Sequence, residues 1–467
     1  MLAAIDAIKS AIGADKVFTD DATLASRRYD RWCVNHLRDY RGETLPVSAA
    51  VVRPGSVADV QAIMRVCSAT STPVIPYGLG SGVCGGVVAS PDAILLDMSG
   101  MNRVRSINPV NLLAEFDAGI NGLLAEEIVA AEGLTIGHWP QSIGISSVGG
   151  WVSTRASGQF STAYGNIEDI IYALEVVLPN GDLVNLGCAP RAAAGPDLRH
   201  LFMGAEGTMG IITGVTLSLR RAAQSRRQTA FYLPSMDQGF AVQREIIQSG
   251  WQPPVMRQYD GIEVNRMFRA YAKGNAPFLI MMHEGPTARV NLEVEEISKI
   301  AAAFGLTVAD NKAVDDWMEQ RNHVPEWRDL IERGLIVDTV EVSGTWDRIG
   351  AIYSAAIKEL GGLKNVVNAS AHSSHVYRTG INLYFSFAAL FDGTDEMEAA
   401  YFDGWDRIMR ATAANGGGIA HHHGAGRMRK KYLHHDLGDS GVALLRQVKN
   451  AIDPQNLLNP GNLIPDV

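Results

Sequence analysis

Apolar positions along this chain keep two beats, one of helices and one of strands, and the switches between them lay out the architecture. Residues 2 to 12 repeat at helical spacing, and the polar stretch from there to Arg41 reads as irregular surface chain. Ala50-Val51-Val52-Arg53 reads as a strand, Pro54-Gly55 as a turn, and Ser56 as the N-cap of a helix with Val60, Ile63, Met64 and Cys67 on its core face. Val74-Ile75 is the next strand, which completes a β-α-β unit. Strands follow at Ile94 to Asp97, Arg103 to Ile107 and Leu112 to Ala118, then a helix from Gly122 to Glu132 that stops at Gly133. Asn180-Gly181 between two apolar runs predicts a hairpin with a type I′ turn, and Ile211 to Leu219 a further strand.

From Ala222 the helices lengthen and a new domain is expected. Strand Thr229 to Tyr232, a helix from the capping box Ser235-x-x-Gln238, strands Val255 to Arg257 and Phe278 to Met282, helix Ala288 to Phe304 and strand Leu306 to Val308 make one ferredoxin-like unit. A second unit runs from strand Leu335 to Glu341 through helix Thr345 to Leu360, strands near Val366 and at Asn382 to Phe387, and helix Glu396 to Asn415, to a strand at Gly418 to His421. The expected class is α+β, with residues 1–221 as a first domain, 222–440 as a second built on one antiparallel sheet, and 441–467 returning to the first.

The strand at Val74 delivers Tyr77-Gly78-Leu79-Gly80-Ser81-Gly82-Val83-Cys84-Gly85-Gly86, with five glycines in ten residues. Glycine at this density lets successive N–H groups converge on an anion. Gly80-x-Gly82-x-x-Gly85 satisfies the dinucleotide pattern and Asp97 lies downstream, but the loop opens no long helix and breaks at Pro91, so that fold is excluded. A second block, from His138 to Gly158 and on to Asp169, is nearly all small or hydroxylic and suits a long polar ligand better than a core. A third, Gly204 to Gly210, leads into the strand at Ile211. Three such segments imply an extended cofactor.

At 467 residues with 46% apolar and 19% charged content, the chain has room for two or three globular domains. A net charge of −9 argues against nucleic acid as a partner and for a small-molecule substrate. Cys33, Cys67, Cys84 and Cys188 show no metal or disulfide spacing, which fits a reducing, cytoplasmic setting. No run approaches the ~18 apolar residues of a membrane span, and the ending Pro465-Asp466-Val467 is not a peroxisomal address.

Together the Pro76-to-Gly82 loop, Val148-Gly149-Gly150, Tyr164 to Asp169, Glu206-Gly207-Thr208-x-Gly210 and Asn459-Pro460-Gly461 resemble the FAD enzymes of the vanillyl-alcohol oxidase and p-cresol methylhydroxylase fold. Ser153 to Gly158 with His421-His422-His423-Gly424 resembles, within that fold, the alkyldihydroxyacetonephosphate synthases. The resemblance implies a PCMH-type FAD-binding domain followed by a substrate (cap) domain. It implies FAD held by Pro76, Tyr77, Gly78, Leu79, Gly80, Ser81 and Gly82; by Gln141, Ser142, Ile143, Gly144, Ile145, Ser146 and Ser147; by Thr154, Arg155, Ala156 and Ser157; and by Ala205, Glu206, Gly207, Thr208, Met209, Gly210 and Ile211. The first loop contains no histidine, so non-covalent FAD is expected.

On the substrate side the resemblance implies Arg257 and Arg328, with Tyr384, His421, His422 and His423 as the proton-transfer groups and His138 near FAD or substrate. It implies exchange of an acyl group for a long-chain alcohol at C1 of acyl-dihydroxyacetone phosphate, with flavin N5 carrying the carbon, in a homodimer with peripheral contact to its lipid-like substrate. The rival is an FAD oxidase or dehydrogenase of a hydroxy acid, alcohol or phenol. Trp139 and Gln141 stand where the synthases carry acidic residues. Each residue also has a bland reading: surface or ion-paired arginines, and a core tyrosine. On a strand the three histidines would alternate faces and share no single role. No carboxylate or cysteine beside them completes a metal site, and no metal is expected. A tyrosine base requires a lowered pKa, which neighbouring arginine or imidazolium charge would provide.

Overall fold

The computed structural model describes residues 1–465; the expected tail positions Asp466 and Val467 lie outside them. Strand Ala50–Val52, helix Val57–Thr70 and strand Val74–Tyr77 form the β-α-β unit read from the sequence, and Ser56 caps the helix by accepting from the Asp59 N–H. Ile94–Asp97 lies between the two strands, parallel to both, in a four-stranded sheet whose edge is Val17–Phe18. A second, five-stranded antiparallel sheet takes Val104–Asn108, Leu113–Asp117, Ile211–Ser218, Ile171–Val177 and Leu183–Leu186 in that spatial order.

The two ferredoxin-like units fuse into one seven-stranded, wholly antiparallel sheet. They meet where Val255–Tyr259 of the first pairs with Val366–Ser373 of the second. Leu383, Phe385 and Phe387 project from strand Gly380–Leu390 into the same apolar cluster as Ile352 of helix Ile349–Leu360 and Trp405 of helix Met397–Ala414. Burying each such side chain contributes about 1.5–3 kcal/mol. Tyr384 alternates to the opposite face, toward the first domain.

Leu457 and Leu458 run alongside Val74, whose N–H donates to the Leu457 carbonyl at 2.8 Å and whose carbonyl accepts from the Asn459 N–H at 2.8 Å. The Asn459 amide donates to the carbonyls of Gly86 and Glu206, tying the tail to two of the glycine-rich segments.

Several local expectations are corrected. The stretch before Arg41 holds helices Asp21–Ser26 and Cys33–Tyr40, and the second buries Cys33, Val34 and Leu37 against the cap-domain core. Small residues hid the helix Val148–Thr154, in which Gly149 packs so closely that a Cβ would sit 2.7 Å from that of Ala118. The hairpin turn is not type I′, since Gly181 but not Asn180 has positive φ. Gly418 to His421 is no strand: Gly418 makes one isolated bridge with Ser343, and the histidines follow in an irregular loop.

Candidate active site

Four neighbouring strands place Tyr259, His372, Tyr384 and Glu341 in one row. Tyr259 pairs with His372, His372 with Tyr384, and Tyr384 with Glu341. Directly paired residues project to the same face of a sheet, so the three rings stack. Tyr259 and His372 have centroids 5.2 Å apart, and His372 and Tyr384 lie 4.8 Å apart and within 8° of parallel.

The three consecutive histidines fold over this row. The Tyr384 hydroxyl lies 2.5 Å from His422 Nε2 and 3.1 Å from His423 Nε2. His421 Nδ1 lies 2.7 Å from His422 Nδ1, and its Nε2 lies 2.7 Å from the Tyr377 hydroxyl. Tyr377 in turn meets Asn166, which accepts from Ser157 Oγ at 2.7 Å. A single donor order satisfies the path: Tyr384 donates to His422, His422 to His421, His421 to Tyr377 and Tyr377 to Asn166. The expectation of alternating faces fails because the histidines occupy a loop, where successive side chains can converge.

Glu341 anchors that loop. Its carboxylate accepts the backbone N–H groups of His422 and His423 at 3.3 and 2.8 Å, lies 2.7 Å from His423 Nδ1, and forms a two-pronged pair with Arg429 at 2.6 and 2.9 Å. Glu341 and Arg429 are fully buried. Burial would raise the carboxyl pKa, but Arg429 and His423 outweigh it and hold Glu341 well below the usual carboxylate range.

Tyr384 does the reverse of what a phenolate base requires. Burial, aided by Glu341, pushes its pKa up, and the lowering by Arg257 and Arg429 does not compensate. Burial likewise holds His422 and His375 well below the ordinary imidazole value and His421 at about 4. The cluster is therefore built around a neutral phenol and the neutral rings of His375, His421 and His422, ready to pass a proton along.

His375 was invisible in the sequence. It stacks on His421 at 5.0 Å and its Nδ1 lies 2.6 Å from Ser161 Oγ. One nitrogen each of His375, His421 and His422 fall within 4.8 Å of one another. His421 Nδ1 and His422 Nδ1, at 2.7 Å, stand at a hydrogen-bond distance, shorter than the about 3.3 Å between ligands on a tetrahedral zinc with bonds near 2.0 Å. That spacing suits proton sharing.

Arg257 is buried, donates Nε–H to the Tyr259 hydroxyl at 2.7 Å and lies 5.1 Å from the Trp317 ring. Arg328 does not join it. Its side chain is 71% exposed and paired with Glu332 on helix Trp327–Glu332, over Tyr40. His138 packs inside the first domain against Trp151, with neither ring nitrogen partnered, and burial lowers its pKa to about 3.

His138 yields a pH prediction. A buried neutral histidine contributes stability above its unfolded pKa of about 6.5, and this is lost as pH falls toward about 3. At pH 5 the loss amounts to about 2 kcal/mol. His138→Leu is expected to lose less melting temperature than the parent between pH 7.5 and pH 5 in matched calorimetric scans. Equal losses would mean that His138 is not held neutral by burial.

The glycine loop presents the features of an anion cradle. Among the described residues, no backbone N–H from Gly78 to Val83 donates to another protein group. Gly80 has φ +71°, and Gly207, with φ +71°, would carry a Cβ only 2.7 Å from Pro76. Glu206, at φ +50°, accepts the N–H groups of Ala425 and Gly426 and the Asn462 amide, which joins the cap-domain loop to the first domain. Of the other expected FAD contacts, Ser147 caps the helix Val148–Thr154 and Arg155 pairs with Glu168, whereas the Gln141 amide donates to the His323 carbonyl. Free N–H groups converging on close-packed glycines fit the pyrophosphate of a dinucleotide.

Residues 48–187 match the family model described as FAD binding domain, and residues 222–463 that of FAD linked oxidases, C-terminal domain. The chain belongs to the FAD-linked oxidase family. It is 33% identical over 479 residues to the uncharacterised FAD-linked oxidoreductase YgcU of Escherichia coli (strain K12), covering 99% of this chain and 98% of that protein. It is 27% identical over 496 residues to alkyldihydroxyacetonephosphate synthase of Trypanosoma brucei brucei, covering 99% and 80%. A solved alkyldihydroxyacetonephosphate synthase superposes with a TM-score of 0.83 at 23% identity, over 98% of this chain and 86% of that one, which establishes the shared fold. This FAD-linked oxidase is thus a flavoenzyme, with the PCMH-type domain and cap domain of its structural neighbours. Among the described residues no helix is long and apolar enough to cross a membrane.

The first glycine loop offers no histidine to bond the flavin, and its one cysteine, Cys84, is buried with its thiol pKa pushed well up. Acid precipitation is expected to leave all the yellow colour in the supernatant. A yellow pellet would reveal a covalent link elsewhere in the site.

Proposed function

We propose that this flavoenzyme exchanges the acyl group of acyl-dihydroxyacetone phosphate for a long-chain alcohol. The observation that carries the reading is the Tyr384 hydroxyl held 2.5 and 3.1 Å from two imidazoles, with the Glu341 carboxylate behind one of them. This is machinery for taking up and returning a proton without consuming it. The similarity to alkyldihydroxyacetonephosphate synthases over 99% of the chain supports the choice of substrate.

FAD would be held by segments 76–82, 141–147, 154–157 and 205–211, and when bound it supplies an electron-accepting ring beside the reacting carbon. The protein's own part is proton handling and orientation. Tyr384 remains a phenol and relays: as it accepts a proton from C1 of the substrate it passes its own to neutral His422, which His421 and Tyr377 back up. The return of that proton balances the step in which the ester C1–O bond breaks and the alcohol oxygen forms the ether. Free carboxylic acid leaves and no electrons are gained or lost overall. Arg257 fits the phosphate end, through guanidinium N–H groups left free by Tyr259. The same reading has the enzyme cytoplasmic and homodimeric, meeting a lipid-like substrate at its periphery.

The test is product analysis under argon. Wild-type enzyme with acyl-dihydroxyacetone phosphate and isotopically labelled hexadecanol is expected to release one fatty acid per labelled ether formed, with no electron acceptor present. Absence of ether, with turnover of a hydroxy acid, alcohol or phenol that depends on an acceptor, would establish the dehydrogenase reading.

A further inference from the structure

Two histidines on strands of the cap-domain sheet have a glutamate behind them, and only one of the two pairs is closed. His283 is fully buried: its Nδ1 lies 2.8 Å from Glu293 Oε1 and its Nε2 lies 3.0 Å from the Thr229 hydroxyl, so both ring nitrogens are occupied and the pair belongs to the packing. His372 is built differently. Its Nδ1 lies 3.0 Å from Glu263 Oε1, but among the described residues no hydrogen-bond partner meets its Nε2, and that nitrogen, unlike those of His138, is not sealed inside the protein.

Glu263 lies on helix Gly261–Met267 and is buried with both oxygens engaged: Oε1 also accepts from Arg266 at 2.8 Å, and Oε2 accepts from Ser370 Oγ at 3.0 Å. Ser370 and His372 alternate to the same face of strand Val366–Ser373, so one carboxylate reaches both. Burial would raise the Glu263 pKa, but His372 and Arg266 outweigh it and hold the group below its ordinary value. An ionised carboxylate at Nδ1 makes that nitrogen the donor and leaves the lone pair on Nε2. Tyr259 and Tyr384 stack on the two faces of the ring. Burial, with repulsion from Arg257 and Arg266, lowers the His372 pKa against the pull of Glu263, so the ring rests neutral and able to accept a proton.

We propose that His372, oriented by Glu263, is a second acid–base residue of the site and takes the hydroxyl proton of the incoming alcohol. The inference rests on the exchange reading above and supplies a proton acceptor that it lacks. Tyr384 handles the hydrogen on C1, whereas the alcohol brings a further proton, on oxygen, that needs its own base. His372 stands one strand over from Tyr384, with its ring parallel at 4.8 Å. As the alcohol oxygen bonds to C1, its O–H bond breaks and the proton passes to His372 Nε2. The ester C1–O bond breaks with its electron pair on the departing carboxylate. The imidazolium, stabilised by Glu263, then yields its proton to water, so that ether and carboxylic acid together balance ester and alcohol.

The probes are isotopically labelled hexadecanol and labelled hexadecanoate, each offered with acyl-dihydroxyacetone phosphate to FAD-loaded enzyme at pH 7.5 under argon. Both replace the acyl group at the same carbon, but the carboxylate arrives already ionised and needs no base. His372→Gln, whose amide can still donate to Glu263, is expected to lower the ratio of ether formation to label exchange at least about 100-fold. Glu263→Gln, which removes the charge that orients and stabilises the ring, is expected to lower the same ratio. Matching FAD content and melting temperature excludes misfolding; if His372→Gln does not fold, the ratio in Glu263→Gln decides. An unchanged ratio overturns the role of His372 and leaves the proposed function standing, because a packing role slows both acceptors alike. Wild type that forms no labelled ether overturns both.

Discussion

Tyr384→Phe is expected to abolish turnover, by about 10²–10⁴-fold, while FAD content and melting temperature stay within error of wild type. The change deletes one hydroxyl and keeps the ring, so stacking on His372 survives. What disappears is the shared atom between His422 and His423. Because burial raises the phenol pKa, the role proposed for Tyr384 is a relay to neutral His422 rather than a resident phenolate, so the loss should fall in the rate of the flavin step and leave substrate affinity nearly untouched. Stopped-flow absorbance of the bound FAD measures that step. Full rates in the variant would return Tyr384 to a packing role and remove the proton path.

Arg429→Met is expected to destabilise the fold by about 3–5 kcal/mol, the cost of leaving Glu341 buried without its cation. The pair is fully enclosed, so solvent cannot take over the role of Arg429. Removing the charge on both sides, as Glu341→Gln with Arg429→Met, should recover most of the melting temperature. It should not recover turnover, since the His422 and His423 backbone N–H groups and the His423 ring all rely on that carboxylate. A single Arg429→Met variant as stable as wild type would show that the pair is not what holds the histidine loop. A stable and fully active double variant would show that Glu341 does not position His423.

The sequence made visible the elements with strong periodicity and the groups that announce themselves by type. The β-α-β unit, the glycine loop at its end and the doubled strand-helix pattern of the cap domain followed from local rules, because each is specified within about thirty residues. Tyr384 and the three histidines stood out by resemblance. Glu341 and Arg429 did not, since their meaning depends on a contact across 88 positions, between a strand and the short helix Gly426–Arg429, that only the tertiary fold creates. A signal was present: Glu341 is a charged residue within a strand whose neighbours Val340 and Val342 are fully buried. His375 and Tyr377 were lost in a connection between strands, where no period applies. Arg328 drew attention by its neighbours in sequence, yet helix geometry turns it outward to Glu332, whereas Arg321 turns inward onto Trp139 and Phe160. The lowered phenol pKa was a requirement of chemistry assigned to the wrong group, for desolvation outweighs the nearby cations.

The central claim is that a proton is borrowed and returned at Tyr384 with no net loss of electrons. The most direct measurement is the visible absorbance of the bound FAD in a sealed cuvette under argon. Acyl-dihydroxyacetone phosphate is expected to bleach it, and addition of hexadecanol alone is expected to restore it. Bleaching that persists in the presence of alcohol and reverses only when oxygen or another acceptor is admitted would contradict the claim and make the enzyme a dehydrogenase.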